Sequence, residues 1–179
     1  FAQYVLINCF EGLVTYDERG SLVGGCDESG HISAAGLVYT CPLRDGLKWS
    51  DGTPFTANDF VYSIQRVLTP STAAQYVSMV TGYIKNAQEF YDGTATADDL
   101  GVKAIDDQTL EITLIQPTSY FIDVLSMWVY DPVQQATVEA NGDAWTSSPE
   151  TYVCNGPFKV TGMSPVSYTH LTLPTTSRV

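Results

Sequence analysis

Short apolar runs separated by turn residues fill residues 13–44, first as VTYDERGSLVGG and then as HISAAGLVYTCPLRDG. That rhythm predicts successive β-hairpins with strands near 13–16 and 37–43, because alternation puts every second side chain on one face while Gly, Asp and Ser turn the chain. Pro42 has no amide to donate, so it fits an edge, a bulge or a strand end. After the pairs Asp45-Gly46 and Asp51-Gly52 the period lengthens to about 3.6 residues. The segment TPFTANDFVYSIQRVLTP therefore predicts a helix. Thr56 caps it, Asp59 returns the capping bond, Phe60, Ile64, Val67 and Leu68 form one apolar stripe, and Pro70 stops it.

A second helical pattern covers about 71–91, with Tyr76, Val80, Tyr83, Ile84 and Ala87 at mixed spacings of three and four before a turn at Asp92-Gly93. The run AIDDQTLEITLIQP predicts a turn at Asp106-Asp107-Gln108 and a strand that places Leu110, Ile112 and Leu114 on one face and ends at Pro117. Thr118 or Ser119 is placed to cap a helix to about Met127. Another helix is expected from Asp131-Pro132 to Asn141-Gly142, with proline at its start and glycine just past its end. CNGPFKVTG predicts a short strand after a turn. The order of elements is mixed α and β, without the regular βαβ rhythm of a doubly wound sheet. From Val166 the text VSYTHLTLPTTSRV changes character: it has no acidic residue, no periodicity and many threonines, and it resembles translated adapter sequence. Residues 166–179 are accordingly read as a non-native tail, unordered and outside the fold.

Composition narrows the function. Eight Lys and Arg against twenty Asp and Glu give a net charge of −12, which repels phosphate backbones and anionic lipid, so nucleic acid and membrane surfaces are not expected partners. No stretch reaches the roughly 18 to 20 apolar residues of a membrane span. The opening FAQYVLINCFEGL has no initiator Met, basic segment or small-residue cleavage site, so any secretion signal is expected upstream of Phe1. Cys9, Cys26, Cys41 and Cys154 form no CxxC pair and accompany no histidine cluster, which gives no metal or cofactor site. Buried thiols are the default, although a disulfide such as Cys26 with Cys41 is permitted in a secreted chain.

Catalytic chemistry finds little footing. A hydrolase needs a nucleophile beside a base, and with the tail set aside His31 is the one histidine, standing next to a turn without companions. Asp98-Asp99 and Asp106-Asp107 sit at turns, where Asp binds local backbone. No residue is assigned a catalytic role.

FEGLVTYDERG (10–20), LRDGLKWSDGTPFTANDFVYSIQRVL (43–68), DLGVKAIDDQTLEITL (99–114) and NGPFKV (155–160), in that order, resemble the family 5 extracellular solute-binding proteins, nearest to their oligopeptide-binding branch. The resemblance spans residues 1–165. It implies a type II clamshell of the periplasmic-binding-protein kind, of which this chain carries the first part: residues 1–11 begin lobe one, 12–133 form an inserted intermediate subdomain, and 134–165 return to lobe one. It implies a monomeric, non-enzymatic binder of peptides, working with the membrane permease subunits of an ABC importer, either periplasmic or lipid-anchored outside the cytoplasmic membrane. Nickel complexes or sugars are alternative ligands within the class. A structural module or a hydrolase is the alternative outside it. The resemblance also nominates ligand contacts: Tyr76 in TAAQY, and Met127 and Trp128 after SYFIDVLS. Gly30, Cys26, Cys41 and Cys154 depart from the family's usual residues.

Overall fold

The computed structural model describes residues 2–27, 31–32, 36–164 and 168–172, and side chains within 5–27 and 36–162. In chain order, helix α1 (Ala2–Cys9) leads into the hairpin β1 (Val14–Tyr16) and β2 (Leu22–Gly24), then strands β3 (His31–Ile32) and β4 (Val38–Pro42). Helix α2 (Ala57–Val67) and two short helices, α3 (Ser78–Thr81) and α4 (Ala87–Tyr91), precede the hairpin β5 (Val102–Asp106) and β6 (Thr109–Thr113). Helices α5 (Phe121–Val124) and α6 (Gln135–Asn141) follow, and the hairpin β7 (Lys159–Ser164) and β8 (Tyr168–Thr172) comes last. The mixed α/β class expected from the sequence is what the chain adopts.

The centre is an antiparallel sheet in the order β3-β4-β6-β5. Its register pairs Tyr39 with Ile112, Cys41 with Leu110 and Val102 with Ile112, so the alternate buried residues of three strands share one face. Helix α2 lies across β5 and β6 and brings Phe60, Ile64 and Leu68, all essentially inaccessible, into that core. Burying a side chain of this size stabilises the fold by roughly 1.5–3 kcal/mol. At the helix start the Asp59 carboxylate accepts the Thr56 amide at 2.8 Å, and Trp49 packs edge-on against Phe55 at 5.1 Å, followed by Phe60. The turn at Asp106 forms as expected: its carboxylate accepts the Gln108 amide at 2.8 Å.

Three helical expectations change. The single helix over 71–91 is broken, with left-handed residues at Ala73 and Asn86. The sheet claims the stretch between α3 and α4: Lys85 donates its amide to Thr113 O at 2.9 Å, and Gly101 donates to Lys85 O at 2.9 Å. A Cβ on Gly101 would lie 2.5 Å from Thr113 O, so only glycine allows this approach. The helix expected to run to Met127 is the short α5 followed by a tight turn, Trp128–Tyr130. The last helix starts at Gln135 rather than Pro132, because the Ser63 hydroxyl accepts the Val133 amide at 2.8 Å and Gln134 is anchored to Asp51 and Thr53 at 2.9 Å each.

The two ends of the main fold meet. The Asn155 side chain accepts the Glu11 amide at 3.1 Å and donates to Glu11 O at 2.8 Å, and Gly156 donates to Cys9 O at 2.7 Å. A Cβ on Gly156 would fall 2.5 Å from the Cys9 carbonyl, which explains the glycine of the NGPF turn. Trp145 stacks on Tyr152 beside this junction, and Phe10 meets both at steeper angles. The tail read as standing outside the fold supplies β8, paired with β7 from Lys159 opposite Thr172 to Ser164 opposite Tyr168. Its Thr, Tyr and Leu residues suit a strand, and hairpin pairing asks only for main-chain groups. Residues 173–179 lie outside the described residues.

Candidate ligand-contact surface

Tyr76 sits in the bend that leads into α3, and Trp128 opens the turn after α5. These two residues, far apart in sequence, meet edge to face with ring centroids 5.5 Å apart and an interplanar angle of 86°. The bend and the turn are locked together by Tyr130, whose hydroxyl donates to Met79 O at 2.6 Å and whose ring is buried against Phe121. Desolvation pushes the Tyr130 hydroxyl well above the usual tyrosine range, so it stays a donor. The pair it positions remains open to solvent: Tyr76 is 38% exposed and Trp128 is half-buried.

Of the three nominated residues, the structure thus brings Tyr76 and Trp128 together. Met127 is different: its half-buried side chain packs against the core and its carbonyl accepts the Tyr130 amide at 2.9 Å. A second aromatic pair emerges that the sequence reading did not single out. Tyr83 meets the exposed Tyr120 at 6.2 Å and 89°, beside the exposed Ile115, whose amide donates to Tyr83 O at 2.9 Å. Nothing in local spacing signals it, since Tyr120 sits where a helix start was expected. Two open hollows lie elsewhere: one of about 580 Å³ lined by Leu47, Phe55, Asp107 and Gln108, and one of about 420 Å³ lined by Trp49, Asp51, Gln134 and Glu139.

The remaining candidates take structural parts. Asp99 accepts the Thr96 amide at 3.0 Å and hydroxyl at 2.7 Å, and those bonds hold its carboxyl below the usual range. The side chains of His31 and His170, and Gly30, lie outside the described residues. Among the described residues no group of three or more His, Cys, Asp or Glu is arranged to hold a metal. No helix of the described residues is long and apolar enough to cross a membrane. One charged group is unusual: burial, then the nearby Glu11 charge, pushes the Asp131 carboxyl up to about 8. Glu11 itself is paired with Arg44 at 3.2 Å.

Comparison with known proteins places this geometry. The model of the bacterial extracellular solute-binding proteins, family 5, middle region, matches residues 21–173. The chain belongs to that family. Among family 5 proteins, the periplasmic oligopeptide-binding protein OppA of Salmonella typhimurium is 44% identical over 152 residues, covering 84% of this chain and 28% of that protein. A solved periplasmic oligopeptide-binding protein of Borrelia burgdorferi superimposes with a TM-score of 0.92 at 40% identity, covering 96% of this chain and 34% of that one. The OppA of Haemophilus influenzae, solved in complex with the peptide RPPGFSPFR, gives 0.90 at 35% identity over 96% of this chain and 33% of that one. The chain therefore spans about a third or less of the length of these family 5 relatives, and its fold is the corresponding portion of theirs. The family and these relatives are solute-binding proteins.

Proposed function

We propose that the chain is the ligand-contacting first part of a peptide-binding protein that works outside the cytoplasmic membrane and delivers its cargo to the permease subunits of an ABC importer, without catalysing a reaction. The observation that carries this is the solvent-open edge-to-face pair Tyr76–Trp128, held in place by Tyr130, in a family whose solved members include a peptide complex. Aromatic faces accept many side chains, since their contact depends on area rather than on a particular hydrogen-bond pattern. Fixing the pair before binding lowers the ordering cost of capture. Met127, next to Trp128 in the chain and half-buried, completes the proposed set of contacts. In this reading residues 12–133 are the intermediate subdomain, and 1–11 with 134–165 belong to lobe one. Micromolar capture, about −8 kcal/mol, needs contacts on both walls of a cleft, so this chain alone binds weakly.

Thermal shift against a peptide library tests the proposal, on the chain as it stands and on the longest reading frame that contains it. Peptides raise the Tm of the longer protein, and Tyr76→Ala and Trp128→Ala each weaken the response about 5- to 30-fold. A shift with nickel chelates or sugars and none with peptides would overturn the peptide assignment.

A further inference from the structure

We propose that Cys9 and Cys154 are a disulfide-forming pair that fastens α1 to the Cys-Asn-Gly turn. All four cysteines are buried and unbridged in the structure, and their surroundings separate them. The Cys9 and Cys154 thiols lie close enough to act on each other and on the Tyr152 hydroxyl, and the Cys154 sulfur donates to Phe158 O at 3.3 Å, in the strand start whose amide holds Asn8 O. The main chains around them are clamped together. Gly156 donates to Cys9 O at 2.7 Å, Phe158 donates to Asn8 O at 3.2 Å, and the Gly156 α-carbon faces the Cys9 carbonyl at a distance no side chain fits. Two cysteines held side by side on a clamped backbone can bond by side-chain rotation, whereas cysteines whose α-carbons are more than about 7 Å apart need the backbone to move. The pairing of Cys26 with Cys41, permitted by sequence, fails that test. Asp27 bridges Leu43, so Cys26 lies opposite Arg44 and Cys41 lies three residues, roughly 10 Å, further along. The Cys26 sulfur instead donates to Glu11 O at 3.3 Å and lies 3.5 Å from the Asn155 amide.

The chemistry is asymmetric. The neighbouring Cys9 thiol, with help from the Ser50 hydroxyl and the amides of Gly156 and Val160, lowers the Cys154 thiol against the opposing effect of burial, while Cys9 is raised by Cys154 and by burial. That asymmetry favours Cys154 as the attacking thiolate. Cys154 attacks one sulfur of a small disulfide such as oxidised glutathione, breaking that S–S bond and releasing one glutathione thiol. With Cys154 capped, the charge that suppresses Cys9 is gone. Cys9 then gives up its proton, attacks the Cys154 sulfur and displaces the second glutathione. Two protein thiols lose two protons and two electrons, and the glutathione disulfide gains both. Because both sulfurs are inaccessible, the bond closes during folding or on local opening of α1. Only the oxidising compartment rests on the extracytoplasmic reading above; the pairing does not.

Peptide mapping without reduction is decisive. The full chain is refolded with oxidised glutathione, then unfolded in guanidinium with iodoacetamide and digested. A cross-linked peptide joining Cys9 to Cys154, with Cys26 and Cys41 alkylated, is the expected result. The oxidised chain should melt roughly 10 °C above the reduced one, a gain absent in Cys9→Ser. Four alkylated cysteines, glutathione adducts alone, or a bridge through Cys26 or Cys41 would overturn the pairing. The map is made on the unsubstituted chain, so it decides even where Cys9→Ser fails to fold. A bridge in the refolded chain with all thiols reduced in the exported protein would support the pairing and overturn the location instead.

Discussion

Asp131→Asn is expected to stabilise the chain more as pH rises. The carboxyl lies beside Gly12, its Oδ1 2.9 Å from where a Gly12 Cβ would be, with the Glu11 charge nearby and the available cation, Arg44, already taken by Glu11. Burial and then Glu11 raise it to about 8, against 3.8 for the ordinary group. A carboxyl raised on folding binds its proton more tightly in the native state, so stability is full below about pH 4 and falls as pH rises towards 8. Each pH unit in that window costs about 1.4 kcal/mol. From pH 5 to 7 the loss approaches 3 kcal/mol, and residual hydration of the half-buried side chain trims it to roughly 2 kcal/mol. Asparagine is isosteric and does not titrate. Urea unfolding of both chains at pH 5, 6, 7 and 8 therefore shows the variant gaining on the parent at each step, whatever the offset at pH 5. Carboxyls that do not act on Asp131 titrate alike in the two chains and cancel, so the difference reports Asp131 together with its coupling to Glu11. A parallel pair of curves, or a variant that loses ground as pH rises, would refute the assignment of a buried protonated Asp131.

Asn155→Ala removes both bonds to the Glu11 backbone and should destabilise the chain by about 2–3 kcal/mol, read as a lower urea midpoint with an unchanged m-value. Gly101→Ala drives a methyl against Thr113 O and should cost about 1–3 kcal/mol in thermal unfolding. Asp59→Ala strips the return bond of the α2 cap, with an expected loss of about 1 kcal/mol by the same urea assay.

What the sequence disclosed was the local grammar. Thr56 and Asp59 announce α2, and Asp106-Asp107-Gln108 announces the β5–β6 turn, because each signal is completed within a few residues. The segment over 71–91 misled for the opposite reason. Its helical spacing is real, but Lys85 and Ile84 are drawn onto the sheet by Thr113 and Leu114, partners that no local window contains. Asp131-Pro132 looks like a helix start until Ser63, on another helix, takes the Val133 amide. The candidate surface shows the same division. Tyr76 and Trp128 were nominated by resemblance alone, whereas the contact between them is tertiary, formed beside the bond from Tyr130 to Met79. Tyr83 and Tyr120 were missed because their meeting is likewise tertiary.

The clasp of Asn155 on Glu11 has a mechanical meaning. A chain whose entry and exit are stitched at one point forms a closed ring on a short stem, so tension applied through the stem loads the clasp and the Gly156–Cys9 and Phe158–Asn8 bonds before the four-stranded sheet. Tension that reaches the stem therefore meets these bonds before it meets the contact between Tyr76 and Trp128.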